Sequence, residues 1–168
     1  DLIEHLDLQN KKNPLGGELP ENLSRLFPAP VTEIVYETTS RPIDLSDIRG
    51  QESAKRGLEI AASGGHNISM YGPPGTGKTM LARVFSDLLP DLSLDDILEI
   101  TGIHSIAGAL DGNLITRAPF RSPHHSASYS AICGGGGNLN IGEITLAHCG
   151  VLFLDEFPEF DRRVIESL

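Results

Sequence analysis

Tryptophan is absent from this chain, and aromatic residues make up only 5% of its 168 positions. A surface that binds single strands by stacking needs several exposed rings, so any such platform here is sparse. Basic residues are also scarce: 13 Lys and Arg face 23 Asp and Glu, for a formal net charge of −10. That balance excludes a surface that coats nucleic acid generally, because such binding draws its affinity from neutralising phosphates; a local basic loop stays open. The two cysteines, Cys133 and Cys149, are too few for a secreted disulfide scaffold and fit a reduced cytoplasm. No apolar run approaches the roughly 20 residues needed to cross a membrane, and no signal-peptide pattern follows Asp1. The expectation is a cytoplasmic protein without a membrane partner, starting at Asp1 as a piece of something longer. Its length allows one ordinary domain, or one domain with an attached piece.

Against these absences stands one dense motif. Gly72-Pro73-Pro74-Gly75-Thr76-Gly77-Lys78-Thr79 fits the phosphate-binding pattern G-x-x-x-x-G-K-[ST] without mismatch. Its glycines let the backbone take positive φ and approach a phosphate chain closely, so successive N–H groups converge on the β-phosphate. Lys78 adds a point charge toward the β and γ oxygens, and the Thr79 hydroxyl is offered to Mg²⁺. The flanks agree. Residues 67–71 alternate as a short strand would, and Met80 to Leu89 carries apolar residues at helical spacing until Pro90. Strand, loop and helix in that order deliver phosphates to a helix N-terminus, where unpaired N–H groups and the dipole favour anions.

Elsewhere the texture varies. Leu2, Ile3 and Leu6 share a helical face; residues 11–30 are rich in Pro, Gly and Asn and read as a connector; Val31 to Thr38 reads as a strand closed by Arg41-Pro42. Residues 1–43 are therefore expected to be the tail of a preceding domain plus a linker, and 44–168 a nucleotide-binding domain. Ser53 to Ala62 has a helical pattern closed by Ser63-Gly64-Gly65. Ser93-Leu94-Asp95-Asp96 resembles a capping box, with Leu94, Ile97 and Leu98 as the expected buried stripe of the next helix. Residues 106–142, with four consecutive glycines at 134–137, must be largely loop or hairpin, and a stretch this long in a compact domain is usually functional or mobile. Gly142 to His148 reads as a short helix, and Asp161 to Leu168 as the beginning of another.

Val151-Leu152-Phe153-Leu154 runs directly into Asp155-Glu156. Four apolar residues before two acids describe a central parallel strand, buried on both faces, whose carboxyl end opens into a ligand crevice. Phosphoryl transfer to water needs held phosphates, a metal that neutralises charge and a group that orients the nucleophile. Lys78 and the loop amides supply the first, Thr79 and Asp155 ligands for the second, and Glu156 the third. Lys78 and Glu156 are thus the expected catalytic residues, and ATP with Mg²⁺ the expected ligands.

These residues together resemble the AAA+ ATPases, and within them the magnesium-chelatase-like branch that includes the bacterial competence-associated helicases of the ComM/YifB family. The resemblance is carried by Ile48-Arg49-Gly50-Gln51-Glu52 with Leu58 to Ala62, by the phosphate loop, by Ile115 to His125 and by Gly142 to His148 running into the acidic strand. It covers roughly residues 44–168, and the segment ending in His124-His125 is its most family-specific part. It implies an α/β P-loop NTPase fold: an AAA+ large subdomain, a parallel sheet flanked by helices, cut before the helical lid. It also places Ile48 and Gly50 near adenine, beside the loop residues Gly72 to Thr79 and Met80. A homo-hexameric ring is implied, with the 106–142 insertion directed toward its pore and DNA as the substrate. Residues 1–43 correspond to the end of a Lon-protease-like domain, and the sensor residues, arginine finger and lid fall after Leu168. The intact protein is then expected to hydrolyse ATP, and this piece to bind nucleotide but turn it over poorly.

Three readings stay open: a DNA motor, a chelatase-type motor that remodels a partner protein, and a nucleotide sensor that does not hydrolyse, the last disfavoured by the intact Lys78, Asp155 and Glu156. Zinc ligation by His104, His124, His125, His148, Cys133 or Cys149 is disfavoured by their spacing. Adjacent His124 and His125 would point apart in an extended loop; they either brace it by hydrogen bonds or, with Arg117 and Arg121, touch a threaded substrate.

Overall fold

A computed structural model describes residues 44–136 and 140–168. The expected tail and linker, with the helix near Leu2 to Leu6 and the strand at Val31 to Thr38, lie outside the described residues. What is described opens on a single helical turn, Leu45–Asp47, capped by Asp44, whose side chain accepts from the Ser46 amide at 2.8 Å. Helix α1 follows over Glu52–Gly64, and Gly65 in the left-handed region closes it, as Ser63-Gly64-Gly65 had indicated. Helix α2 spans Lys78–Leu88 and α3 Leu94–Ile106.

The amphipathic faces of α1 and α2 pack together: Leu58, Ala61 and Ala62 meet Leu81, Val84 and Phe85, with Ile48 completing the cluster. Leu58 is fully buried, so its side chain alone contributes about 1.5–3 kcal/mol by leaving water. Helix α3 begins on the expected capping box: Ser93 Oγ accepts from the Asp96 amide at 3.2 Å and Asp96 Oδ2 from the Ser93 amide at 3.1 Å. The Ser93 hydroxyl, which donates to Asp96 Oδ2 at 2.5 Å, and then the Ser93 amide hold the Asp96 carboxyl below the usual carboxylate range. The buried stripe of α3 is Ile97, Ile100 and His104; Leu94 and Leu98 are exposed, contrary to the sequence reading. Apolar residues at i, i+3 and i+4 permit two adjacent stripes. The choice falls to the one whose last member, His104, reaches a partner, the Leu146 carbonyl at 3.0 Å from Nε2.

Strand β1 is Phe120–Arg121 and strand β2 is Val151–Leu152; they pair in parallel, Phe120 opposite Val151 and Arg121 opposite Leu152. Between them lie two short helices, α4 at Tyr129–Cys133 and α5 at Glu143–Leu146, and an antiparallel bridge joins Gly135 to Asn140. Among its described residues, the region read as loop or hairpin is therefore loop with strand β1, the short helix α4 and a bridge. After β2 come the turn Phe157–Glu159 and α6, Arg162–Ile165. Asp161 caps α6, and its hydrogen bonds with Arg163 bring its carboxyl down to about 2. A second core gathers Ile132, Phe160 and Val164 around Leu154 and Ile144.

Two strand expectations are corrected. Residues 67–71 form no ladder among the described residues, and Tyr71 is fully exposed. Alternation of side chains marks a segment that suits a sheet, but a strand exists only where a neighbour takes its hydrogen bonds. The acidic strand forms over Val151–Leu152 only, not through Leu154; it is one of two strands and not a central one among the described residues, and both residues are half-buried rather than buried on both faces. Its register is fixed by close backbone approach at Gly150, where a Cβ would stand 2.1 Å from the Pro119 carbonyl oxygen. Gly150→Ala is accordingly expected to destabilise the fold by about 1–3 kcal/mol, the usual cost of overpacking, read as a lower thermal midpoint. An unchanged midpoint would show that β1 and β2 separate freely at this point.

Candidate functional site

The glycine-rich loop runs from extended residues 66–73 into the first turn of α2. Gly75 and Gly77 take φ of +79° and +84°, and nothing lies within 4 Å of a Cβ added to either. Positive φ explains why glycine stands at both positions, and the open space beside them is what a close-lying phosphate requires. Lys78, the first residue of α2, folds its ammonium back over the loop and donates to the Gly72 and Pro73 carbonyls at 3.0 and 2.9 Å. Thr76 Oγ1 braces the same turn through the Pro73 carbonyl at 3.0 Å.

Thr79, one residue into α2, donates its hydroxyl to Asp155 Oδ2 at 3.2 Å, across 76 residues of sequence. The other Asp155 oxygen, Oδ1, accepts from the Glu156 amide at 3.0 Å. Glu156 sits in the left-handed region at φ +56°, a conformation that costs an L-residue about 1–2 kcal/mol. Strain of this kind is characteristic of functional sites. Thr79 and Asp155 thus bring a hydroxyl and a carboxylate oxygen together, the hard donors that Mg²⁺ takes from a protein while it keeps waters and phosphate oxygens for its other positions. Among the described residues no group of three or more His, Cys, Asp and Glu forms a fuller metal cage. The donor set fits Mg²⁺.

Of the residues singled out in the sequence, hydrogen bonds join Thr79 to Asp155 and Asp155 to the Glu156 amide, while Lys78 and Thr79 are neighbours at the start of α2. Ile48 is part of the core cluster between α1 and α2, and Gly50 is exposed with φ +67°. Met80 is exposed.

The histidine and arginine readings change more. His124 and His125 do not point apart: their ring centroids are 4.1 Å from each other. His124 does brace its loop, with Nδ1 at 2.8 Å from Ser126 Oγ and accepting the Ser126 amide at 3.2 Å. His125 instead reaches Glu156, Nδ1 to Oε2 at 3.3 Å. Arg121 is committed to Glu143 through a two-pronged contact, Nε to Oε2 at 2.5 Å and a second nitrogen to Oε1 at 2.7 Å. Those hydrogen bonds raise the Arg121 pKa, and the pair ties β1 to the first residue of α5. Arg121 is therefore a structural ligand of Glu143, a role the sequence reading of a substrate-touching loop arginine did not include. Glu143 was missed in the sequence because a partner 22 residues away leaves no local signal. Arg121→Lys keeps the charge but loses the planar fork. It is expected to lower stability by about 1–2 kcal/mol, within the range for hydrogen bonds to charged groups, and a chemical-denaturation midpoint equal to the parent's would contradict the role.

A ring contact links α2 to β1. Arg83 lies over the Phe120 ring, 5.8 Å from its centroid, and Phe120 stacks on Phe153 at 6.1 Å. The loop-bearing helix is thus connected to both strands, once through Thr79 and Asp155 and once through Arg83. No helix among the described residues is long and apolar enough to cross a membrane.

Residues 44–168 match the family model described as magnesium chelatase, subunit ChlI. The chain is 59% identical over 126 residues to an Escherichia coli protein carried as uncharacterized protein YifB, covering 74% of this chain and 25% of that one. It is 48% identical over 143 residues to the competence protein ComM of Haemophilus influenzae, covering 82% of this chain and 28% of that protein. An archaeal Lon protease from Methanothermobacter thermautotrophicus is 40% identical over 82 residues, 46% of this chain and 13% of its own length. The chain spans about a quarter of the length of the YifB and ComM relatives. With the family model covering the glycine-rich loop, the Asp155-Glu156 turn and everything described between them, this chain belongs to the magnesium chelatase family.

Proposed function

We propose that residues 44–168 form the nucleotide-binding core of an AAA+ motor that hydrolyses ATP with Mg²⁺, assembles as a homo-hexameric ring and acts on DNA. The observation that carries the ATPase reading is the 3.2 Å hydrogen bond from Thr79 to Asp155. It joins the loop motif to the acidic turn, which is the pairing that phosphoryl transfer to water requires. Ile48, Gly50 and Met80 are proposed to flank the nucleotide.

In this reading the loop amides and Lys78 bind and orient the triphosphate, so that the γ-phosphorus lies in line with a water. Mg²⁺, held by Thr79 and Asp155, neutralises phosphate charge when bound. Glu156 takes a proton from that water as its oxygen bonds to the γ-phosphorus; the bond from γ-phosphorus to the bridging oxygen breaks, and ADP carries away the electron pair. The membership that carries the motor reading also holds a rival, since the matched family is described as a magnesium chelatase subunit. A chelatase-type motor would remodel a partner protein and not DNA. ComM, at 48% identity, carries a competence name and supports the DNA reading.

The ATPase rate of the full-length protein with and without DNA separates the two. Double-stranded or branched DNA is expected to raise the rate at low salt, irrespective of base sequence, with the stimulation fading as salt rises, because backbone contacts act through counterion release. Arg117, in the insertion, is proposed to feel phosphate, and Arg117→Glu should weaken the stimulation while nucleotide binding is kept. A rate indifferent to DNA at low salt, but altered by a partner protein, would replace this reading with the chelatase type.

A further inference from the structure

We infer that His125 is a positioning residue for Glu156, holding one oxygen of its carboxylate so that the other faces the reacting water; the inference rests on the ATP-hydrolysis reading above. Glu156 needs such a holder. Its side chain is 65% exposed, and a glutamate at the surface samples several rotamers, most of which direct the carboxylate away from any fixed point. The structure gives it His125, whose Nδ1 lies 3.3 Å from Oε2.

The register of the sheet explains why these two residues meet. Arg121 and Leu152 are opposite each other in parallel strands. His125 lies four positions after Arg121 and Glu156 four positions after Leu152, so both chains leave the sheet side by side at its carboxyl end and travel equal distances. His125 is itself anchored from two sides. The His124 ring packs against it at 4.1 Å, and the edge of Phe160 meets it at 6.4 Å and an interplanar angle of 83°. Phe160 is 4% exposed and belongs to the core with Ile132 and Val164. His124 is fixed in turn, because its Nδ1 accepts the Ser126 amide, which leaves the other ring nitrogen as its donor when neutral. A rigid path therefore runs from the hydrophobic core through Phe160 and His125 to the Glu156 carboxylate. This absorbs the histidine pair that the nucleotide loop left unexplained.

The test is steady-state ATP hydrolysis by the full-length protein. His125→Ala is expected to lower kcat about tenfold to a hundredfold, the scale on which a small misplacement of a reacting group acts, and to leave KM for ATP and the dissociation constant of a non-hydrolysable analogue within about twofold, since the phosphate grip is separate. His125→Asn puts an amide N–H close to the position of Nδ1 and should recover most of the rate. In nucleotide-free protein labelled at histidine, the His125 imidazole signal should shift when Glu156→Gln is introduced. A His125→Ala variant that melts like the parent and turns over at or above the parental rate overturns the inference. So does an Asn variant no faster than Ala, or a His125 signal indifferent to Glu156→Gln. If the parent itself hydrolyses no ATP, the function proposed above fails; if the parent hydrolyses and Glu156→Gln is inactive while His125→Ala is normal, only the role of His125 fails.

Discussion

Glu156→Gln in the full-length protein is expected to bind ATP as the parent does and to lose about 10²–10⁴ in turnover, the usual worth of a positioned base. The two halves of that result come from different parts of the site. Binding belongs to the loop and Lys78, whose ammonium is held by the Gly72 and Pro73 carbonyls and has no contact with Glu156 among its hydrogen bonds. The Thr79 to Asp155 bond is also made without the Glu156 side chain, which contributes to that turn only its amide, donated to Asp155 Oδ1. Gln keeps the size and the left-handed backbone at φ +56°, so the turn should survive the change. It removes the proton acceptor. The measurement is single-turnover hydrolysis beside equilibrium binding of the same nucleotide. A variant that hydrolyses at the parental rate would show that another group takes the proton.

Much of the molecule was legible in its sequence, and the parts that were not share a physical cause. Helices α1, α2 and α3 were read within two residues at their starts because their signals are local: Gly65 and Pro90 as stops, and Ser93 with Asp96 as a reciprocal cap. Errors arose where a second segment decides. Whether Leu94 and Leu98 or Ile100 and His104 turn inward depends on α5, which offers the Leu146 carbonyl to His104. Whether residues 67–71 become a strand depends on a neighbour, and their own alternation cannot supply one.

The site divides in the same way. Gly72 to Thr79 and Asp155-Glu156 were visible because phosphate chemistry prescribes residue types at fixed local spacing. The Thr79 to Asp155 bond was foreseen only as a shared metal, 76 residues apart in the chain. The contacts of Arg121 with Glu143 and of His125 with Glu156 were not foreseen at all. Each depends on the register between β1 and β2, and nothing in either strand alone announces that Phe120 will lie opposite Val151. The arginines and histidines of the 117–125 segment were singled out correctly as worth explaining. Two of them, Arg121 and His125, meet carboxylates, those of Glu143 and Glu156.

The central claim is that the Gly72 to Thr79 loop, with Asp155, holds a magnesium nucleotide. A ligand that binds only the folded state, at about a hundred times its dissociation constant, adds roughly 2.7 kcal/mol of stability, which for a chain of this size corresponds to a rise in melting temperature of about 5–10 °C. Lys78→Ala should leave the nucleotide-free melting temperature nearly unchanged, because its hydrogen bonds are to carbonyls at an exposed loop that water can reach, and should abolish the rise. Asp155→Asn should weaken the Mg²⁺-dependent part of the shift while the response to nucleotide alone is kept. The most direct measurement is therefore the melting temperature of parent and Lys78→Ala proteins with and without millimolar Mg-ATP analogue. The account predicts a shift in the parent that is absent in the variant; no shift in the parent, or an equal shift in both, would contradict it.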